Sequence, residues 1–413
     1  MSQQNIEHKN STVLVTGVSG YVGAHVAQQL LLHGYHVRGT IRSISEEKVN
    51  KLKKQITEGL LATHTNLPNL EFVEADLLKE DVWPQAVSGC QYVCHVASPF
   101  PLMIPSDPDT LIKPAVDGTL FVLKAASNDG NVKRVVLTSS LAAIHDVKTF
   151  TGKQDPDKLY NEDDWVDENK VEAYSRSKIL AERAAHKFIE ELPQEDGKKK
   201  LELVVINPSY VLGPMLTDSL STSVLGIKRL LDKSVPAVPK FNMAICDVRD
   251  VALAHVKALE SPEHVGKRYL IVTESRWMKD IAKMMHKEFK PLGFFVPTMT
   301  VPSTLVWLGS FVDKSTAMLV PRLDKEFKLD NRRMIEELKI TPTDVEKTII
   351  DTCHSLIEKG VIKPTRKYKK VKQPDSEEAA ASTEEQAGSQ PQDNVGGDNP
   401  TEQQQPAVVK AES

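Results

Sequence analysis

The chain has 413 residues, 40% apolar and 26% charged, the composition of an ordinary globular protein with ample material for a large core. Its formal charge of -4 is small for this length and argues against a broad basic surface for nucleic acid, so any anionic ligand must be held by local chemistry. Cys90, Cys94, Cys246 and Cys353 are scattered without a CxxC pair or a histidine-rich companion, which speaks against a disulfide framework or a metal site and for a reducing compartment.

The polar first ten residues show no signal-peptide pattern, so a flexible N-terminus and a cytoplasmic protein are expected. From Thr12 onward, short β-branched runs alternate with longer amphipathic segments, as in consecutive βαβ units. Strands are predicted at Thr12–Thr16, Tyr35–Ile41, Leu70–Val73, Tyr92–Val96, Val135–Thr138 and Leu203–Ile206. Runs such as VLV, RVVLT and LVVI are apolar at consecutive positions, which a sheet covered by helices on both faces requires. The expected class is therefore α/β, a doubly wound parallel sheet over residues 11–215.

The first strand runs into Gly17-Val18-Ser19-Gly20-Tyr21-Val22-Gly23 and then a helical pattern. Gly17 and Gly20 suit a tight turn near a pyrophosphate, and Gly23 suits close packing of helix on strand. The phosphate would meet free N–H groups at the helix N-terminus. The second strand ends in Arg42, with Lys48 shortly after, where an NAD site usually carries an acidic residue for the ribose 2'-hydroxyl. A cation there suits the 2'-phosphate of NADP, so NADP(H) is preferred over NAD(H). Asp76 and Leu77 after the third strand, and Ala97 and Ser98 after the fourth, fit a dinucleotide lying along the carboxyl edge.

The fifth strand ends in Thr138-Ser139-Ser140, and Tyr174 and Lys178 follow in EAYSRSKILAERAAHKF. Residues four apart share a helix face, so a phenol and an ammonium can converge. Tyr368 and Lys372 have the same spacing but lie in a charged segment with no preceding strand, whereas the helix of Tyr174 can bury Ile179, Leu180, Ala184 and Phe188. A free phenol titrates at ~10, so a neighbouring ammonium and an oxidised nicotinamide would pull it toward neutrality and let Tyr174 exchange protons. Lys178 would also hold the nicotinamide ribose, and Ser140 would bind the substrate oxygen. No metal is required.

Beyond Gly213, helices are predicted at Val224–Asp232, Val248–Glu260, Met278–Phe289 and Thr343–Lys359. Residues 216–362 read as a smaller, mostly helical substrate-binding cap, with 241–275 returning to the main sheet through Arg268–Val272. The uncharged stretch 295–312 contains two prolines and five Ser/Thr, a poor membrane span, and reads as buried helix and loop. From residue 363 a basic run leads into a Glu, Gln, Ser, Ala and Pro-rich tail that cannot offset its ordering entropy and is expected to be disordered.

The set VTGVSGYVG, EADL, HVASPF, VDGTLFVLKAA, VLTSSLAAI, AYSRSKILAE, INPSYVLGP and DVRDVALAH resembles an extended short-chain dehydrogenase/reductase, a Rossmann-type fold of the NAD-dependent epimerase/dehydratase family. Within it the chain is most similar to the dihydroflavonol 4-reductase, cinnamoyl-CoA reductase and fungal aldehyde/ketone reductase group, over roughly residues 11–275. The resemblance implies Ser140, Tyr174 and Lys178 as a catalytic triad and Arg42 and Lys48 as contacts of the 2'-phosphate. It further implies Pro208 beside the nicotinamide and Ser223, opening the next helix, near the pyrophosphate. One departure is Phe121, where the family's GTxNVL carries Asn.

The expected activity is reduction of a hydrophobic aldehyde or ketone, with Phe100, Leu102, Met103 and Ile104 lining the pocket. The partners expected are a small carbonyl or alcohol substrate, with no nucleic acid and no integral membrane segment; no residue pattern fixes an oligomeric state. Two other readings share part of the pattern. Arg42 speaks against an NAD-retaining nucleotide-sugar epimerase or dehydratase, and the intact Ser140, Tyr174 and Lys178 set against a non-catalytic NADP(H)-binding regulatory protein.

Overall fold

Seven strands of the computed structural model run parallel in one sheet, and the order in which they pair places the active edge. The structure describes residues 11–60, 67, 69–99, 107–146, 158–193, 200–311, 320–326 and 328–372. Strand β1 (Thr12–Thr16) leads through a turn into helix α1 (Tyr21–Leu32), then β2 (His36–Ile41), α2 (Glu46–Thr57), β3 (Leu70–Glu74) and β4 (Tyr92–His95). Helix α3 (Asp109–Asp129), β5 (Arg134–Thr138), α4 (Ala173–Glu191) and β6 (Glu202–Pro208) follow. After them come β7 (Tyr210–Leu212), α5 (Thr222–Leu231), β8 (Asn242–Asp247), α6 (Val248–Glu260) and β9 (Arg268–Ile271).

The sheet order is β9-β6-β5-β4-β1-β2-β3. The chain winds outward in both directions from β1, so the gap between the β1 and β4 ends is the switch point where α/β sheets take ligands. The consecutive apolar residues have the reason anticipated for them. Val13 and Val15 of β1, Val136 of β5, and Val204 and Ile206 of β6 face one layer with Val26 and Leu30 of α1 and Val251 and Ala254 of α6. Leu14, Val135, Leu137, Leu203 and Val205 face the other, with Val122 and Leu123 of α3 and Ala185 of α4. Side chains alternate across a strand, so a strand buried on both faces must be apolar at every position.

Beyond β6 the structure adds strands that the pattern after Gly213 did not announce. Strand β8 pairs in parallel with β7 and antiparallel with β10 (Glu274–Trp277), a separate three-stranded sheet. Strand β9, by contrast, joins the edge of the main sheet beside β6, the return expected through Arg268–Val272. Helices α7 (Met278–Phe289), α8 (Ser303–Gly309) and α9 (Val345–Glu358) complete this region.

Two readings of the chain are corrected. The stretch 295–312 was expected to be buried, yet Phe295, Met299, Leu305, Trp307, Leu308 and Phe311 are exposed; Val296 is buried, and the seven-residue α8 turns only Val306 inward. The basic run was expected to open the disordered tail, yet Arg366–Lys372 is a helix of its own unit, as arginine, lysine and the absence of glycine and proline permit. Residues 373–413 lie outside the described residues. All four cysteines are free and buried. Burial pushes the Cys90 thiol up to about 11 and that of Cys246 to about 12, and raises Cys94 and Cys353 further. Among the described residues no helix is long and apolar enough to cross a membrane.

Candidate active site

Every strand-end residue singled out from the sequence lies on one edge of the main sheet, because parallel strands bring all their carboxyl ends to the same side. At β1, Gly17 adopts φ +67, and a Cβ there would stand 3.1 Å from the Cβ of Ala97 after β4. Gly23 has even less room, since a Cβ would lie 2.4 Å from the Gly17 carbonyl oxygen. Only glycine at both positions keeps turn, helix and β4 end this close. Gly20 caps α1, donating its N–H to Gly17 O at 2.9 Å. Val22 packs against the core, and the Tyr21 hydroxyl donates to Gly213 O at 2.9 Å. His25, one turn on, bonds Pro214 O at 2.8 Å, so α1 is tied twice to the turn after β7.

At β2, Arg42 is exposed and Lys48 extends its ammonium back to Ser43, 3.0 Å from the carbonyl oxygen and 3.2 Å from Oγ. Ser45 caps α2 by accepting the Lys48 N–H at 3.3 Å. The two cations thus flank one turn. Asp76 caps its own turn through Leu78 N, and Leu77 packs where Gly118 of α3 lacks a side chain. Ala97 and Ser98 follow β4, with Ala97 N donating to Thr16 Oγ1 at 2.9 Å. The Thr16 hydroxyl also accepts from Val96 N, so its proton goes to His95 Nδ1 at 2.9 Å and fixes that ring as the Nε2–H tautomer. Burial and the Lys178 charge push His95 down to about 3, so it stays neutral.

The two serines after β5 have opposite fates. Ser139 turns inward and hydrogen-bonds the Glu182 carboxylate. Ser140 caps a single 3-10 turn by accepting Ala142 N at 3.1 Å, and its hydroxyl hydrogen-bonds the Tyr174 phenol. Helix α4 presents Tyr174 in its first turn, where Ser177 Oγ donates to Tyr174 O at 2.7 Å and Ser175 Oγ to Asp146 Oδ2 at 2.5 Å. Its fully buried stripe differs from the one anticipated: Ser175, Lys178, Ile179, Glu182 and Ala185 point inward, while Leu180, Ala184 and Phe188 are half-buried.

Burial raises the Tyr174 phenol above its ordinary value, opposed by the Ser140 hydrogen bond and by the Arg322 charge. Arg322 is thus a cation near that phenol which the reading of the sequence did not single out. Lys178 itself is pushed down to about 8 by burial, against the raising influence of Glu182. Arg322 also acts on Tyr210, whose hydroxyl donates to Ser223 O at 3.1 Å.

Pro208 ends β6 opposite Ile271. Ser223 does not open α5: Ser221 caps it by accepting Val224 N at 3.2 Å, and Ser223 lies inside the first turn. Phe121 packs on the α3–α4 side of the sheet. Phe100, Leu102, Met103 and Ile104 lie outside the described residues. Sequence reasoning missed Glu182, Asn207, Arg268, His95 and Arg322. Glu182 had a signal, since it stands four residues after Lys178 as Lys178 does after Tyr174.

A parallel sheet wound outward from a glycine turn defines the nucleotide-binding α/β class. Within that class the chain belongs to the NAD dependent epimerase/dehydratase family, whose model matches residues 13–271. It is 32% identical over 357 residues to cinnamoyl-CoA reductase 1 of Arabidopsis thaliana, covering 86% of this chain and 91% of that one. An uncharacterized oxidoreductase of Schizosaccharomyces pombe is 38% identical over 295 residues, 67% of this chain and 82% of the other. Among solved structures, yeast methylglyoxal/isovaleraldehyde reductase Gre2 complexed with NADPH superposes with a TM-score of 0.67 at 28% identity, covering 85% of this chain and 100% of that chain.

Proposed function

We propose that this protein is an NADP(H)-dependent oxidoreductase that reduces a hydrophobic aldehyde or ketone, with Tyr174 as proton donor, Ser140 as the binder of the substrate oxygen and Lys178 as the cation beneath them. The observation that carries this reading is the hydrogen bond between Ser140 and Tyr174 at the carboxyl edge, with the Lys178 ammonium buried one turn further along α4. The similarity to a reductase complexed with NADPH supports the cofactor, as do the cations of Arg42 and Lys48 after β2. The fit of a dinucleotide is supported by Gly17 and Gly23, where any Cβ would close the space between turn, helix and β4 end.

NADPH, when bound, supplies the hydride. The protein's own residues do the rest: the glycine turn and the α1 N-terminus take the pyrophosphate, and Arg42 and Lys48 take the 2'-phosphate. Ser140 orients the carbonyl oxygen, and Tyr174 delivers a proton to it as negative charge develops there. In the reverse direction Tyr174 accepts that proton from the alcohol.

A panel of aromatic and aliphatic aldehydes and ketones, run with NADPH and separately with NADH, tests the reading through the nicotinamide absorbance. Turnover with NADPH and a loss of roughly a hundredfold or more in Tyr174→Phe are expected. Unchanged turnover in Tyr174→Phe would remove the mechanism, and purification with tightly held NAD and indifference to NADPH would favour the epimerase class.

A further inference from the structure

Helix α4 carries a carboxylate where a buried helix face should be apolar. Glu182 is completely buried, and its two oxygens are shared among three other elements. Oε1 accepts from Arg268 Nε of β9 at 2.5 Å. Oε2 accepts from Asn207 Nδ2 of β6 at 2.9 Å and from the Ser139 hydroxyl at the end of β5. Asn207 Nδ2 also donates to Ser140 O at 3.2 Å. Arg268 is fixed in turn, donating to Glu162 O at 2.6 Å and Asp164 O at 2.8 Å and stacking 3.8 Å from the Trp165 ring. A buried ion pair with all these partners is an expensive way to fill a helix–sheet interface, since well-packed apolar residues of similar volume often do as well or better.

We propose that Glu182 is a positioning residue for the Ser140, Tyr174 and Lys178 set: its carboxylate clamps the turn that presents Ser140 and stands as the counter-charge of the Lys178 ammonium. This deepens the reductase reading and rests on it. The clamp holds the ends of β5 and β6 against α4 at the level of Lys178, so the serine hydroxyl and the α4 face keep one register. The charge matters because Lys178 has been taken out of water, and an anion one turn away favours its protonated form. The other groups facing the pair are Arg268 from β9, His95 from β4 and His186 on the next turn of α4. Burial lowers both histidines, so neither changes charge on the alkaline side of neutrality.

Two measurements on the full chain test the proposal: steady-state reduction across pH 6 to 10, as rough bounds around the Lys178 titration, and NADPH binding over the same range by enhancement of its fluorescence. Glu182→Gln keeps the shape of the side chain and removes its charge. Its kcat is expected to fall by roughly ten- to a hundredfold, and the alkaline limb of both profiles to move about one unit toward lower pH. Ser139→Ala keeps the charge and loosens the clamp; it is expected to lower kcat with the limb in place.

A Glu182→Gln protein that loses melting temperature while its limb stays put in both assays overturns the proposal. A limb that moves equally in Ser139→Ala overturns it too, because the charge of Glu182 would then not be the cause. If no carbonyl in the panel is reduced with NADPH, the reductase reading falls, and if Tyr174→Phe keeps full turnover the proton-donor role falls; in either case the pH dependence of NADPH binding still decides the role of Glu182 toward Lys178.

Discussion

The Tyr21 hydroxyl reaches across 192 positions of sequence to donate to the Gly213 carbonyl oxygen, in a contact closed off from water. Burial holds this phenol well above its ordinary value, so it remains a donor throughout the physiological range. Tyr21→Phe leaves that carbonyl without its partner, and a loss of about 1 to 3 kcal/mol is expected. Denaturant midpoints at unchanged slope report it. A variant as stable as the wild type would mean that the turn after β7 finds another donor.

Gly23 offers a sharper contrast. A methyl group there would press to 2.4 Å from the Gly17 carbonyl oxygen, whereas at Gly20 the nearest atom stands at 3.1 Å. Gly23→Ala is therefore expected to abolish saturable NADPH binding and lower the melting temperature, and Gly20→Ala to weaken binding without preventing the fold. Fluorescence titration with NADPH, alongside thermal unfolding, separates the two. Equal behaviour of both variants would deny that α1 must sit this close to the turn.

The cations after β2 make a prediction about cofactor choice. Replacing Arg42 by leucine, and Lys48 likewise, removes charge that a 2'-phosphate can use and a hydroxyl cannot. The KM for NADPH is expected to rise roughly tenfold or more in the double variant while that for NADH changes little. A parallel rise for both cofactors would relocate the phosphate site.

Lys178 is expected to weigh against stability. Its ammonium is pushed from 10.5 down to about 8 by burial, equivalent to a penalty of about 3 kcal/mol when it is charged. Between those two values the unfolded chain holds the proton that the folded chain has released, so folding stability from this group rises with pH there. Below about 8 the penalty is complete. Lys178→Met is accordingly expected to lose turnover yet melt a few degrees higher at neutral pH, with the gain shrinking as pH rises through 8 toward 10.5. A variant that melts lower at every pH would show that the charge is compensated by partners other than Glu182.

The parallel sheet was legible because its central strands are buried on both faces, which writes an unbroken apolar run into positions such as Val13, Leu14 and Val15. The catalytic candidates were legible because chemistry restricts them to few residue types at fixed spacing. The clamp beneath them was not, since Glu182 and Arg268 are 86 positions apart and either alone reads as a solvated surface charge. The small sheet of β7, β8 and β10 escaped notice for a related reason. Strand β10, with the sequence ESRW, is half-buried throughout and carries no alternation strong enough to mark it. Helix α8 misled in the opposite sense: its leucines and Trp307 have the composition of a core helix, and nothing in composition says which side of a chain finds a neighbour.

The four sequestered thiols turn this chain into its own unfolding indicator. None has the exposure or acidity that an alkylating or oxidising reagent exploits, so in the native state iodoacetamide should add nothing over hours at neutral pH. Cys94 sits on a central strand and Cys353 on α9, so mass shifts at these two positions would time the openings of the main sheet and of the α9 region.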